Sequence, residues 1–194
     1  MPKPDVPLAP VAQGPSPEWP GAIQRRPGPA GSQFRRYLET CRTYLVTANT
    51  KGRHPLFADA GLAKIVLRNL RFYRDRFDFK LHAYVVMPDH LHLLLTPGRI
   101  QLPDIMRNLK SYIAKEVHEA QNGGGSIWQP RFHDRGIRDH RQFDAALKYI
   151  HLNPVKAGLA RLENEYEFSS ALAYSSDREP SLGVDLLDGS RLGP

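Results

Sequence analysis

Two apolar segments joined by one proline–aspartate break constrain the fold of this chain more than any other feature. Residues 79–87 read FKLHAYVVM and residues 90–96 read HLHLLLT, and both segments are rich in side chains that favour strands. Proline cannot continue a central strand, so Pro88 and Asp89 separate the two segments. The pattern therefore predicts a hairpin-like pair of strands.

Strand and helix patterns alternate on either side of this pair. Strands are predicted over residues 41–50 and 127–138, and helices over 60–77, 102–120 and 141–152. Pro130 predicts a kink in the later strand, and Asn153 and Pro154 should end or bend the last helix, because the residue before proline avoids the helical region. The order β-α-β-β-α-β-α predicts an α+β fold. Its first six elements match the ferredoxin-like split βαβ pattern, a four-stranded antiparallel sheet with helices on one face, followed by a C-terminal helix.

The composition indicates one folded domain with low-complexity ends. Residues 1–32 hold nine of the 17 prolines and predict disorder, and the Ser/Gly/Pro/Asp-rich stretch 176–194 predicts a flexible tail. The expected domain therefore covers residues 33–175. A single cysteine, Cys41, excludes a disulfide framework and a cysteine-rich zinc site. With no apolar run of membrane-spanning length and no signal-peptide pattern, we expect a cytoplasmic protein without a membrane partner.

The positive charge belongs to the expected domain. The chain has a net charge of +7, and residues 33–175 keep +8 because the first 32 residues carry +1 and the stretch 176–194 carries −2. Such a balance favours a polyanionic partner. The candidate phosphate contacts are Arg131, Arg135 and Arg138 around the last predicted strand, and Lys64, Arg68 and Arg71 on one stripe of the first helix. The helix stripe is equally consistent with an ordinary solvated face.

His90 and His92 are the first candidates for chemistry. Side chains alternate along a strand, so both imidazoles lie on one sheet face while Leu91 and Leu93 lie on the other. Two adjacent imidazoles make half a metal site. The alternative is a pair of partly buried, hydrogen-bonded histidines. A zinc hydrolase is disfavoured, because no third histidine or carboxylate stands at the usual zinc spacing.

Tyr149 and Asn153 form a second constellation. Their i, i+4 spacing puts both on one face of the predicted helix, although an edge tyrosine and a helix-terminal asparagine would have the same spacing. Tyr112 is a rival nucleophile in the preceding helix. Tyr112 ranks below Tyr149 as a candidate nucleophile, because the residue four positions later is Glu116 and not an asparagine.

Four segments together carry a specific resemblance to a known family. YVVMPDHLHLLL, IWQPRFHDRGIRD, LKYIHLNPVKAGL and YEFSSALAY occur in this order, and the resemblance extends from about Arg36 to Tyr174. In these segments the chain resembles the REP-associated tyrosine transposases, which are single-tyrosine HUH enzymes related to the transposases of single-stranded insertion sequences.

The resemblance implies a ferredoxin-like fold and cleavage and joining of single-stranded DNA at REP-type hairpins. It assigns His90 and His92 to the histidines that bind a divalent metal, Tyr149 to the nucleophile, and Asn153 to the residue that completes the metal shell. Asp89 stands where many members have asparagine. The expected intermediate is a 5′-phosphotyrosine.

The expected cofactor is Mg²⁺ or Mn²⁺, and the expected partner is single-stranded DNA with REP-like hairpins. The resemblance leaves a monomer and a homodimer open and adds nucleoid association to the cytoplasmic location. Trp128 is expected in the core, whereas Phe132 could stack on bases. His133, His140 and His151 are neighbours of the site in sequence only. The alternative function is a non-catalytic, domesticated ferredoxin-like module that binds nucleic acid.

Overall fold

A four-stranded antiparallel sheet and three long helices make up the described part of the chain. The computed structural model describes residues 42–175 and 182–185. The strands are β1 (Tyr44–Asn49), β2 (Lys80–Met87), β3 (His90–Thr96) and β4 (His133–Gly136), and the helices are α1 (Ala60–Phe77), α2 (Leu102–Gln121) and α3 (His140–Lys156). Short 3-10 helices span Lys51–Arg53, Leu56–Ala58, Glu163–Glu165 and Ser170–Tyr174. The predicted disordered segment, residues 1–32, lies outside the described residues.

The strand order confirms the predicted α+β fold. The sheet runs β2-β3-β1-β4, and each neighbouring pair is antiparallel. Strand β3 lies between β1 and β2, which is the split βαβ arrangement expected from the order of the elements.

Alternation along β3 separates two hydrophobic clusters. Leu91, Leu93 and Leu95 pack into the larger cluster with α1 and α2. Leu94 belongs to the smaller cluster, which contains Phe143 and other α3 side chains. Helices α1 and α2 therefore cover one sheet face and α3 crosses the other.

Aspartate side chains fix the starts of two helices. Asp59 accepts a hydrogen bond from the backbone nitrogen of Leu62 at the start of α1, and Asp139 accepts one from Gln142 at the start of α3. At its other end α1 is closed by Asp78 in the left-handed conformation. Within the described ranges, no helix combines the length and apolar character needed to cross a membrane.

Two predicted boundaries are wrong. The last strand starts at His133 instead of residue 127. Trp128 forms only an isolated antiparallel bridge with Thr50, and the pairing is interrupted around Pro130, which has no backbone N–H to donate. The Trp128 side chain lies in the core, where Nε1 donates to the Lys110 carbonyl at 3.0 Å. Helix α3 continues through Pro154 to Lys156. On either side of the proline, the Asn153 side-chain amide donates to the Tyr149 carbonyl at 2.6 Å and the Asn153 carbonyl accepts from the backbone nitrogen of Ala157.

Residues 182–185 lie along β2, although the sequence analysis assigns them to a flexible tail. Asp185 exchanges backbone and side-chain hydrogen bonds with Leu81 at 2.7 and 2.9 Å, and its carboxylate lies 2.9 Å from Arg74. Leu182 is only 2% exposed. These contacts cover part of an edge strand that would otherwise leave backbone groups unpaired. The rest of the predicted tail lies outside the described residues.

Gly98 provides a test of the contact between the end of α1 and the turn after β3. A Cβ atom at position 98 would stand 2.0 Å from the Asp78 carbonyl oxygen. We expect Gly98→Ala to lower the free energy of unfolding by about 1–3 kcal/mol, because backbone must shift to remove the overlap. Urea denaturation measures the change.

Gly124→Ala is the matched control, since nothing lies within 4 Å of a Cβ placed there. Its effect should stay within about 0.5 kcal/mol. Equal stability of the two variants would contradict the close contact at Gly98.

Candidate active site

The two histidines of β3 lie side by side beneath α3. Their ring centroids are 4.6 Å apart at an interplanar angle of 81°, and His90 and His92 are 8% and 3% exposed. Both face away from Leu91 and Leu93, as strand alternation predicts. The structure thus brings the imidazoles together on the face that α3 crosses.

Each imidazole is held through its Nδ1 atom. His90 Nδ1 lies 2.6 Å from Asp89 Oδ1, and His92 Nδ1 lies 2.8 Å from Thr47 Oγ1. A carboxylate only accepts, so His90 Nδ1 carries the proton and Nε2 keeps a free lone pair. In the same tautomer, His92 would donate from Nδ1 to the Thr47 hydroxyl, which can accept as well as donate. Both Nε2 atoms are then available as ligands.

Arg53 contacts Asp89, the carboxylate that holds His90. Its Nε lies 2.8 Å from Asp89 Oδ2, and its guanidinium also donates to Asn49 Oδ1 at 2.6 Å. Asn49 is the direct cross-strand neighbour of His90. The hydrogen bonds form a chain from Arg53 through Asp89 to His90.

Burial keeps both imidazoles neutral. Desolvation lowers the pKa of His90, and it lowers the pKa of His92 to about 3 with a smaller contribution from the neighbouring His90. Moving a charged imidazolium from water into a buried site costs free energy, so burial favours the neutral ring. Neutral rings with oriented Nε2 lone pairs are the form that binds metals.

Tyr149 reaches the histidines from α3. Its hydroxyl lies 3.5 Å from His92 Nε2, the two ring centroids are 5.1 Å apart, and the side chain is 41% exposed. Lys156 Nζ lies 5.8 Å from the tyrosine ring centroid. The phenol is therefore open to solvent on one side and adjacent to the imidazole pair on the other.

His90 and His92 could supply part of a metal shell, and Asn153 follows one helical turn after Tyr149 on α3. No group of three His, Cys, Asp or Glu side chains that could hold a metal occurs in residues 42–175 and 182–185. Two imidazole nitrogens fit a divalent ion that takes further ligands from oxygen atoms. Because the Asn153 amide nitrogen donates to the Tyr149 carbonyl, its Oδ1 is the atom that remains for such a ligand.

Tyr112 lies on the other side of the sheet. It packs against the larger cluster with its ring 5.5 Å from that of Tyr73. The structure therefore brings Tyr149, but not Tyr112, to the imidazole face.

The candidate cations fall into two groups. Lys64 and Arg68 lie on α1, behind the sheet, within 3.8 Å of Glu167 and 2.5 Å of Glu116 respectively. Arg71 is exposed on the same helix. The other group, Arg131, Arg135 and Arg138, is exposed around β4, and Arg135 lines a cavity that Tyr149 also lines.

Two side chains that hold the site were not predicted from the sequence. Thr47 orients His92, and Arg53 holds Asp89. Alternation in β1 carried a signal for the first, because the polar Thr47 and Asn49 alternate with the apolar Val46 and Ala48 and so share one face of the strand. No local signal identified Arg53, which follows the strand.

The three other histidines named as neighbours in sequence have different surroundings. His151 is buried, with Nε2 at 2.9 Å from Ser170 Oγ, and its ring packs against Tyr174. His133 is exposed on β4 as the direct cross-strand neighbour of Thr47, on the sheet face that carries His92, and His140 begins α3. Trp128 lies in the core as expected, and Phe132 packs against the same cluster.

The fold and the site define an α+β protein with a His–His–Tyr centre on its sheet. The family model described as IS200-like transposase matches residues 39–153, more than half of the chain. The chain belongs to this family, and the matched range includes both histidines and Tyr149.

Comparison with individual proteins gives the same result. The chain is 28% identical over 141 residues to a REP-associated tyrosine transposase of Escherichia coli K12, covering 72% of the chain and 82% of that protein. It is 30% identical over 112 residues to a putative REP-associated tyrosine transposase of Haemophilus influenzae, covering 50% of the chain and 61% of that protein.

A solved REP-associated tyrosine transposase bound to a REP hairpin shares the fold, with a TM-score of 0.60 and 23% identity over 88% of this chain and 96% of that one. The family resemblance found in the sequence is confirmed.

His151 makes stability depend on pH. Burial lowers the pKa of His151 from 6.5 to about 4 in the folded chain. Between these two pH values, His151 therefore binds a proton in the unfolded chain but stays neutral in the folded chain. Stability therefore falls as the pH drops. We expect His151→Gln to reduce the loss of unfolding free energy between pH 7 and pH 5 by roughly 2 kcal/mol.

Urea denaturation at both pH values measures this difference. The exposed His54 supplies the control, because His54→Gln should leave the pH dependence as it is in the unmodified chain. An unchanged pH dependence in His151→Gln would show that this histidine is not held neutral by the fold.

Proposed function

We propose that this protein is a metal-dependent tyrosine transposase that cleaves and rejoins single-stranded DNA at REP-type hairpins through a 5′-phosphotyrosine intermediate. The observation that carries the proposal is the approach of the Tyr149 hydroxyl to His92 Nε2 at 3.5 Å, beside His90. Membership of the IS200-like transposase family supports it.

Tyr149 acts as the nucleophile. Its phenolic oxygen loses a proton to solvent and attacks the scissile phosphorus, so that one P–O bond forms and the bond to the 3′ oxygen breaks. The departing 3′ oxygen takes up a proton and becomes a free hydroxyl. Because the phosphotyrosine keeps a phosphodiester, the reverse attack by a 3′-OH rejoins DNA without another energy source.

His90 and His92 hold the divalent metal through Nε2, and Asn153 Oδ1 is the third candidate ligand. The Asp89 carboxylate keeps His90 in the required tautomer, and Thr47 holds the ring of His92 through Nδ1. Mg²⁺ or Mn²⁺ fits such a mixed shell, with Mn²⁺ the better match to imidazole. When bound, the ion supplies charge neutralisation at the scissile phosphate.

The DNA approaches from the side of β4 and the start of α3. Arg131, Arg135 and Arg138 are exposed there, whereas Lys64 and Arg68 lie on α1 beside carboxylates. We therefore assign most phosphate contacts to the β4 arginines. The similarity to a transposase solved with a REP hairpin supports hairpin DNA as the partner.

A covalent adduct assay tests the proposal. The chain is mixed with labelled single-stranded hairpin DNA and Mn²⁺ and analysed on a denaturing gel. We expect a metal-dependent adduct that Tyr149→Phe abolishes, because among the described tyrosines it is this phenol that lies beside the imidazole pair. A combined His90→Ala and His92→Ala variant should also lose the adduct.

Tyr112→Phe is the matched control, since Tyr112 lies behind the sheet and the change removes the same atom. An adduct lost in Tyr112→Phe but kept in Tyr149→Phe would overturn the assigned nucleophile. Tight hairpin binding without any adduct would favour a domesticated, non-catalytic binding module.

Asp89 should control metal affinity. Asp89→Ala removes the acceptor of His90 Nδ1 and should weaken Mn²⁺ binding by about 10–100-fold. Asp89→Asn keeps an acceptor oxygen and should lose less. Electron paramagnetic resonance of free Mn²⁺ during titration gives the dissociation constants without DNA or turnover.

The control for this experiment is Asp75→Ala, which removes an exposed carboxylate on α1. Its Mn²⁺ affinity should match the unmodified chain. Unchanged affinity in Asp89→Ala would contradict a positioning role for this carboxylate.

A further inference from the structure

A cavity opens beside Tyr149 where α3 leaves half of the sheet face uncovered. Helix α3 packs mainly over β2 and β3, so its other side stands above β1 and β4 with a space of about 550 Å³ between them. The cavity reaches from Tyr149 to the N-terminus of α3. Its volume is within the range of pockets that hold small ligands.

Small side chains keep this space open. Gln142, Ala145, Ala146 and Tyr149 follow at helical spacing along the lining of α3. The two alanines fill little of the gap toward the sheet, where Leu45 and Ile137 form an apolar floor. A larger residue at position 145 or 146 would close the cavity.

The rim of the cavity is cationic. Arg135 on β4 and Arg141 on α3 both line it, and neither forms an ion pair within residues 42–175 and 182–185. The carboxylate of Asp139, which also lines the cavity, accepts from the backbone nitrogen of Gln142 and caps the helix. An apolar floor with unpaired arginines at the rim suits a flat ring attached to phosphates.

We propose that this cavity binds the unpaired base of the nucleotide that adjoins the scissile phosphate. The inference rests on the proposed function, because Tyr149 marks where that phosphate must lie. The base inserts over Leu45 and Ile137, and the flanking backbone phosphates lie against Arg135 and Arg141. Single-strand binders commonly combine an apolar surface for bases with cations for the backbone.

Gln142 gives the cavity a way to select the base. Its Oε1 accepts from the backbone nitrogen of Arg138 at 3.2 Å, which fixes the amide so that the NH₂ group is the free end. That group donates and cannot accept. The cavity therefore favours a base that presents acceptor atoms to α3.

The test combines a change in the DNA with a change in the protein. The probe is the hairpin oligonucleotide that binds the chain most tightly from a panel with randomised single-stranded flanks. Each flank nucleotide is replaced in turn by an abasic one, and fluorescence anisotropy gives the dissociation constant. We expect one abasic position, adjoining the cleavage point, to weaken binding about tenfold.

Ala145→Trp fills the cavity from an exposed position on α3. It should weaken binding of the intact probe to the level of the abasic probe, and the abasic change should then have no further effect. Ala120→Trp, an exposed position on α2 behind the sheet, should bind like the unmodified chain. Gln142→Met should retain the abasic effect but lose discrimination among bases at that position.

Two results would overturn the inference. One is an unmodified chain that binds every abasic probe as tightly as the intact probe. The other is an Ala145→Trp effect that simply adds to the abasic effect, since independent sites give additive free energies.

The adduct assay on the same probes separates this inference from the proposed function. If an adduct forms but the effects of Ala145→Trp and of the abasic nucleotide on binding are additive, the proposed transposase chemistry is supported and the base pocket is ruled out. Coupling without any adduct would leave a base pocket in a protein that does not cleave.

Discussion

The antiparallel pairing of β3 with both β1 and β2 is the constraint on which the rest of the structure depends. It fixes which side of the strand faces each layer, and a slip of one residue would exchange the histidines with the leucines. Only in this register do Leu91 and Leu93 face α1 and α2 while His90, His92 and Leu94 face α3. The core that α1 and α2 form over Leu91 and Leu93 therefore also holds the imidazoles in position beneath α3.

Helix α3 gives the opposite face its two distinct regions. Where it packs over β2 and β3, apolar contacts around Phe143 and Ile150 anchor it and bring Tyr149 to the histidines. Where it passes β1 and β4, Ala145 and Ala146 leave a cavity. A rigid packed half thus positions the phenol, while the open half remains accessible to a ligand. In the proposed function, chemistry and base recognition occur on the two sides of one helix.

The charged side chains also differ between the two faces of the sheet. The net charge of +7 belongs to the whole chain, but cations on α1 lie beside Glu116 and Glu167. Arg135 and Arg141 lack such partners in the part of the chain that the structure describes, and burial keeps the adjacent histidines uncharged. Neutral imidazoles bind cations and unpaired arginines bind phosphates. In the proposed function the imidazoles would bind the metal and the arginines the phosphates, so the two roles fall to different parts of the site.

Local patterns in the sequence were sufficient to predict the helices, the strand pair around Pro88, the fold class and the shared face of His90 and His92. These features depend on the spacing of apolar and polar residues along short segments, which can be read without knowing how the segments pack together. Tertiary structure alone decided that Tyr149 reaches His92, that Arg53 supports Asp89, and that α3 continues through Pro154. Each of these depends on which segments pack together, because distances between residues far apart in the chain are set by the sheet order and the path of α3.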